Sequence, residues 1–373
     1  MKLMEYLAKP NLILESLLYL CARADGQERQ RLEEHFRQKS PHALAAFQER
    51  YASFEALKQE LDRRVAIAPG TLTRLFSNLE GFPYHMAGVY SPAFLLLAPA
   101  ACRCCGDSAA FWAAQEDCTS DEAAQDILTA LDLTGSDQAE YSSATAQLID
   151  SILSMSLPAE TRLALLELHK NYRLVMQESV QCLYTALAVL EDMGPKLQAL
   201  IDNFIWEIDA IGTEAYTQEI SNFHIDPNVP CRIQPLLMLP VTYLFINTFG
   251  KDGHLVVYCG ILRYALRNME LSAEAARNQI YESIRLLGDR TRFDIFCYLM
   301  DHPAYGQELS SHFGLARNTI HYHMSQLFKA RLVRCTVEGA KTYYSIDKDR
   351  YSKLLELQRQ FFLHDYQTQE PLP

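Results

Sequence analysis

Through most of residues 1–225 apolar side chains recur at three-to-four spacing, the period of amphipathic helices packed on one another. Ser40 and Pro41 make an N-cap and first-turn pair. Leu44, Phe47, Tyr51, Phe54, Leu57, Leu61 and Val65 then form a stripe of about seven turns, which Pro69-Gly70 is expected to stop. Pro158 opens a second long pattern with Leu163, Leu166, Tyr172, Met176, Val180, Leu183, Leu187 and Leu190, closed by Gly194-Pro195. A third begins at Pro195 and carries Leu197, Ile201, Phe204, Ile208 and Ile211. These stripes predict a helix bundle with the apolar faces as its core. Near Asp226-Pro227 the texture changes. Leu236–Phe249 is rich in Val, Phe, Tyr and Ile, Gly250-Lys251-Asp252-Gly253 follows, and His254–Cys259 is apolar again, the pattern of a β-hairpin.

The C-terminal pattern is different. Phe293, Phe296, Leu299 and Met300 make one helical face that Asp301-His302-Pro303 ends, and Gln307–Phe313 reads as a short helix with Leu309 and Phe313 inward, closed by Gly314. Next, Ile320, His323, Met324 and Leu327 fall at i, i+3, i+4 and i+7, which leaves Arg317, Asn318, His321, Tyr322 and Ser325 on the opposite side. Val333, Cys335 and Val337 alternate with polar residues, Glu338-Gly339-Ala340-Lys341 turns the chain, and Thr342, Tyr344 and Ile346 alternate again. Two short helices across a tight turn, followed by a two-stranded wing, define a winged helix-turn-helix. The expected fold class is therefore mainly α. A multi-helix N-terminal domain with a small β element spans 1–270, the winged helix-turn-helix domain 271–363, and a flexible tail 364–373.

Charge changes this picture little. The 373 residues carry a net charge of -12, yet Ile280–Arg350 holds ten basic residues against eight acidic ones, the mildly cationic end of an acidic chain. Ten cysteines without regular spacing do not read as a secreted disulfide framework, and Glu15 interrupts the apolar run Leu12–Ala22 where a signal peptide needs an uncharged segment. The uncharged stretches Gly81–Cys102 and Ile233–Gly250 are broken by Pro83, Pro92 and Pro99 and by Pro235 and Pro240, so neither reads as a membrane span. A cytoplasmic protein with no membrane partner is expected.

The candidate chemistry is recognition of double-stranded DNA. Arg317 suits guanine, Asn318 adenine or a phosphate, and His321 and Tyr322 base edges or the sugar-phosphate, with Thr319 and Ser325 on the same helix. Lys329, just past the helix, and Lys341, near the wing tip, are placed for phosphate. Cys102-Arg103-Cys104-Cys105, with Cys118 further on, is the other signal. Buried or incidental thiols are the favoured reading, with a thiolate metal site and a redox pair as alternatives. No Gly-rich phosphate loop, Gly-x-Ser-x-Gly elbow or His-Glu-x-x-His is present, so no catalytic residue and no cofactor is expected. A winged helix used for protein contact, or an enzyme fused to a regulatory winged helix, are the rival readings.

Three blocks together carry a family resemblance: Leu287-Gly288-Asp289-Arg290-Thr291-Arg292, then Gly314–Met324, then Glu338-Gly339 before Tyr343-Tyr344. In their order and spacing they resemble the ArsR-type winged-helix repressors over about the last hundred residues. The resemblance implies a dimer on a pseudo-palindromic operator, a repressor released by a signal, with helix 316–328 and wing 332–346 on the DNA. Two departures bear on the signal and the helix start. Ala316 stands where members often carry Ser, and Gln307–His312 lacks the thiols through which many members sense metal, as the region of His364-Asp365 lacks a second ligand pair. The winged helix's own cysteines, Cys297 and Cys335, fall on apolar sides, so an unidentified small-molecule effector is expected to act on the N-terminal domain. Tyr351, Leu354, Leu355, Phe361 and Phe362 on the helix after the wing predict a homodimer.

Overall fold

A computed structural model describes residues 4–38, 41–82, 89–131, 133, 143–211, 223–225, 230–249, 254–263, 266, 273–330, 332–338 and 341–363. The Ser40 cap, the 250–253 turn, the wing tip 339–340 and the tail 364–373 lie outside them. The fold is mainly α. Strand β1 (Met4–Tyr6) is followed by α1 (Leu12–Asp25), α2 (Glu28–Arg37), α3 (Pro41–Arg64), α4 (Pro69–Phe76), α5 (Pro92–Arg103), α6 (Ser108–Glu116), α7 (Ser120–Ala130), α8 (Ala144–Ser154), α9 (Ala159–Lys170), α10 (Tyr172–Asp192) and α11 (Gly194–Ile211). Then come β2 (Phe223–Ile225), β3 (Cys231–Leu236), β4 (Tyr243–Phe249) and β5 (Leu255–Gly260). The C-terminal elements are α12 (Ala273–Leu287), α13 (Arg290–Asp301), β6 (Ala304–Tyr305), α14 (Gly306–Phe313), α15 (Arg317–Lys329), β7 (Val333–Glu338), β8 (Lys341–Ile346) and α16 (Lys348–Phe362). The chain divides into two compact units, one of Met1–Leu32, Glu49–Ile220 and Pro227–Arg267, the other of Glu33–Gln48, Ser221–Asp226 and Asn268–Pro373.

In the first unit α1 is the core helix. Asn11 caps it by accepting the Leu14 amide at 3.2 Å, Gly26 ends it with a left-handed φ of 65°, and every residue from Ile13 to Cys21 is buried. A helix apolar all round must be enclosed, and α4, α5 and α10 pack on it. Helix α5, capped by Ser91 and opened by Pro92, is likewise buried from Ala93 to Cys102. Among the described residues no helix is long and apolar enough to cross a membrane.

Glu15, on α1, is 1% exposed, and its two carboxylate oxygens accept the amides of Leu237 and Met238 at 2.7 and 2.8 Å. The charge that interrupts the apolar run thus pins the chain leaving β3. Burial pushes its carboxyl up to about 7 against the opposing pull of the two amides and Lys58.

The small β element is larger than a hairpin. β4 and β5 pair antiparallel as expected, but the sheet has the order β1-β3-β5-β4, with β1, β3 and β5 parallel and Met4 opposite Cys231. The run Leu236–Phe249 is divided, because β3 ends at Leu236 and β4 starts at Tyr243. Pro235 is tolerated in central β3 for a geometric reason. Ile233 offers its carbonyl to Leu7 on the β1 side, so by alternation Pro235 also faces that side, beyond where β1 has ended. Where β5 ends, Gly260 meets the 239–240 turn so closely that a Cβ would lie 2.5 Å from the Leu239 carbonyl, which excludes any side chain.

Helix α3 stops at Arg64, ahead of Pro69-Gly70, as expected, and Pro69 goes on to start α4, since its missing N–H costs nothing in a first turn. Two helix expectations need correction. The pattern from Pro158 is broken at Asn171, whose side-chain amide and backbone N–H both donate to the Glu167 carbonyl. On α9 the buried face is Thr161, Leu165 and Leu168, while Leu163 is 55% exposed and Leu166 half-buried.

Candidate nucleic-acid interface

The second unit builds its site on a helix-turn-helix. Asp289 caps α13 by accepting the Arg292 amide at 2.9 Å, and the Arg292 guanidinium donates to the Leu286 carbonyl at 2.7 Å, near the end of α12. The Leu287–Arg292 block is therefore a joint between two helices, with Asp289 capping the start of α13 and Arg292 reaching back to the end of α12. On α13 the buried face is Ile295, Phe296 and Leu299. Phe293 and Met300, expected inward, are 45% and 51% exposed, because Ile295 and Phe296 take the inward turn of the helix between them.

Helix α14 ends at Gly314, whose φ of 63° is left-handed. Ser310 fastens the turn from both sides. Its carbonyl accepts the Leu315 amide at 3.2 Å and its hydroxyl donates to the Leu315 carbonyl at 2.6 Å. This sets the entry of α15, whose cap Ala316 supplies no side-chain acceptor. On α15, Ile320, Met324 and Leu327 are 0% exposed and His323 8%, so the inner face follows the apolar spacing. Tyr322 is 46% exposed, and Arg317, Thr319, His321 and Ser325 are half-buried around it. The side chains of Asn318, Lys329 and Lys341 lie outside the described ones, but their backbone puts Asn318 in the first turn of α15, Lys329 at its last residue and Lys341 at the start of β8.

The wing pairs antiparallel from Val333 opposite Ile346 to Glu338 opposite Lys341. Val333, Cys335, Tyr344 and Ile346 are buried, which matches their alternation. Two flanking strands were not legible: β6 adds to β8, and β2 adds in parallel to β7 with Phe223 opposite Cys335. The sheet order is β2-β7-β8-β6.

His323 is the titratable group on the inner face. Its Nδ1 is buried and has no hydrogen-bond partner among the described residues. Desolvation lowers its pKa, Asp289 opposing and Arg292 assisting. Because the native value lies below the unfolded one of about 6.5, the unfolded chain takes up the proton first, and this contribution to stability is lost as pH falls below that value. Between about pH 8 and about pH 5 the wild type is expected to lose more of its urea midpoint than His323→Gln. Equal losses would exclude His323 as the cause.

The cysteine candidates lie in the first unit. Cys102, Cys104 and Cys118 are buried and Cys105 is half-buried. Among the described residues no group of three or more His, Cys, Asp and Glu side chains is placed to hold a metal ion. Burial pushes the Cys102 thiol up to about 12 and the Cys118 thiol up to about 11, and the charged groups acting on Cys118 are Asp126, Glu122, Arg103 and Arg173. Such thiols hold their protons at neutral pH.

These features define a winged helix-turn-helix protein of the DNA-binding type. The model of the family described as bacterial regulatory protein, arsR family, matches residues 289–334. The HTH-type transcriptional regulator CmtR of Mycobacterium tuberculosis is 31% identical over 85 residues, which cover 23% of this chain and 72% of that protein. CmtR of Mycobacterium bovis matches to the same extent. Among solved structures, reduced HlyU from Vibrio cholerae is 21% identical and covers 24% of this chain and 94% of its own, with a TM-score of 0.21. Through its C-terminal part the chain belongs to the arsR family of bacterial regulatory proteins, and it is a DNA-binding transcription regulator.

Proposed function

We propose that the protein is a repressor that binds a pseudo-palindromic operator as a homodimer, with residues 316–328 reading bases and the wing 332–346 anchoring the backbone. Residues 271–363 are the DNA-binding domain. Residues 1–270 perceive the signal, an unidentified small-molecule effector, and the protein works in the cytoplasm without catalysing a reaction. One observation carries the reading: α15 buries Ile320, His323, Met324 and Leu327 while Tyr322 stands 46% exposed on the other side. A helix fastened along one face and polar along the other is free to enter a major groove. The test is selection of bound fragments from random duplex by the full-length protein, followed by affinity across a salt series. A preferred site with two half-sites and a steep salt slope is expected. Equal, weak affinity for every duplex would favour protein contact instead.

The dimer rests on apolar surface. Of the residues that suggested it, Leu354 is buried and Tyr351 packs on Phe296, with ring centroids 5.1 Å apart, so both serve the chain's own core. Leu355, Phe362 and Leu363 remain 46%, 57% and 62% exposed, and the neighbouring α12 exposes Tyr281 and Ile284 by 60% and 50%. Five large apolar side chains, four on two packed helices and Leu363 closing one of them, are more than scattered surface exposure. Tyr281→Glu with Ile284→Glu is expected to convert a dimer to a monomer in light scattering. A wild-type protein that is monomeric both free and on operator DNA would overturn this part of the reading.

A further inference from the structure

The densest run of thiols, Cys102-Arg103-Cys104-Cys105, has no part in DNA recognition and closes α5 in the first unit. The Cys105 amide donates to the Cys102 carbonyl at 3.1 Å, and the Cys105 Sγ lies 3.3 Å from that same oxygen. A turn closed between residues i and i+3 holds their Cα atoms within about 7 Å, and disulfides span Cα separations of about 4.4–6.8 Å. The Cys105 sulfur, lying against the Cys102 carbonyl, is thereby turned back toward Cys102. Cys105 also has a φ of 50°, the one positive φ at a non-glycine position among the described residues, and Gly106 follows at 88°. A left-handed residue here costs about 1–2 kcal/mol, and it turns the chain back beside the end of the helix.

The two thiols are unlike, as a reacting and a resolving thiol need to be. Cys105 is half-buried and reached by solvent, while Cys102 is 2% exposed. The Tyr258 hydroxyl, on β5, hydrogen-bonds the Cys102 sulfur and favours its ionised form, and Cys105 in turn acts electrostatically on Cys102. Tyr258 also accepts from Asn11 Nδ2 at 3.2 Å, and Asn11 Nδ2 donates to the Ala101 carbonyl at 2.8 Å. Cys102 is thus fixed by a chain of buried hydrogen bonds while its partner stays open.

We infer that Cys102 and Cys105 are a redox-active dithiol that hydroperoxides convert to an intramolecular disulfide. Cys105 loses its proton and its sulfur attacks one peroxide oxygen. The O–O bond breaks, the departing oxygen takes up a proton and leaves as water or alcohol, and Cys105 becomes a sulfenic acid. The Cys102 sulfur then attacks the Cys105 sulfur and the S–O bond breaks. The hydroxide released combines with the Cys102 proton as a second water. Two electrons pass from the sulfurs to the peroxide, which is the full balance of the reaction. A buried thiol that holds its proton is a slow nucleophile, so the second step limits the rate and Tyr258 is a positioning residue for it.

The test uses the reduced full-length protein treated with hydrogen peroxide, alkylated, digested and weighed. The expected peptide has lost two hydrogens, is alkylated at Cys104 only, and regains alkylation at Cys102 and Cys105 after dithiothreitol. Cys104→Ser keeps the disulfide, and the half-buried replacement Cys105→Ser abolishes it. Tyr258→Phe leaves sulfenic acid formation, read by dimedone trapping, unchanged but slows its disappearance severalfold. Three cysteines that remain alkylatable after peroxide, a bridge that joins Cys104 or Cys118, or passage of Cys105 directly to sulfinic acid would each overturn the assignment.

Discussion

Arg317→Ala or His321→Ala is expected to cost about 1–3 kcal/mol of binding to the preferred operator, with little change on a scrambled duplex. The reason is placement. Both are half-buried residues of α15 at the margin of the face that buries Ile320, Met324 and Leu327, four residues apart and so neighbours on the helix surface. Neither is fully exposed, and desolvation lowers the Arg317 pKa without threatening its charge. Lys329 and Lys341 make the contrast. Their places at the end of the helix and at the start of β8 are those proposed for phosphate anchoring, so Ala at either should weaken specific and random DNA alike and flatten the salt slope by about one for each phosphate left without its lysine. Affinities of both mutant sets on operator and scrambled duplex across a salt series give the answer. An unchanged ratio of the two affinities in Arg317→Ala and His321→Ala would mean that α15 does not read bases.

Glu15→Ala is expected to destabilise the first unit by several kcal/mol, about 2–5, because it strands two buried amides at once, those of Leu237 and Met238, each worth about 1–3 kcal/mol. Glu15→Gln should cost less, since it keeps one acceptor while turning an NH2 toward the other amide. The two variants also separate structure from charge. The native carboxyl titrates near 7 against an ordinary 4.5, so in the window between these values the folded protein holds a proton that the unfolded chain has released. Stability from this group is therefore full below the lower value and lost as pH rises through the upper one. At about 1.4 kcal/mol for each unit of pKa, the effect is on the order of 3–4 kcal/mol. Urea midpoints across that window should fall with rising pH in the wild type and stay level in Glu15→Gln. A wild-type curve as flat as that of the variant would show that Glu15 is ionised throughout.

Much of the DNA-binding unit was legible in the sequence because its evidence is local. The spacing of Ile320, His323, Met324 and Leu327 reports the radial direction of side chains on a helix, and all four are buried. Gly314 announced a left-handed helix end, and the alternation through Val333, Cys335, Tyr344 and Ile346 reported the pleat of the wing. Local pattern failed where a choice between apolar neighbours depends on what faces them. Phe293 and Met300 turn outward while Ile295 turns in, and Leu163 lies outside while Leu165 and Leu168 are buried. It failed again for short strands. β1 and β2 are three residues each, too brief to show a period, and they exist because β3 and β7 offer them open edges. Glu15 and the pair Cys102 and Cys105 belong with these. In the sequence one is a charge in an apolar run and the others are thiols three apart. Partners more than 220 residues away in the chain, the Leu237 and Met238 amides, make the first a buried pin, and the turn at the end of α5 with the Tyr258 hydroxyl makes the others a pair. Which polar groups a fold can bury is decided by the partners that distant segments bring to them, because an unpaired buried group costs more than most single contacts return.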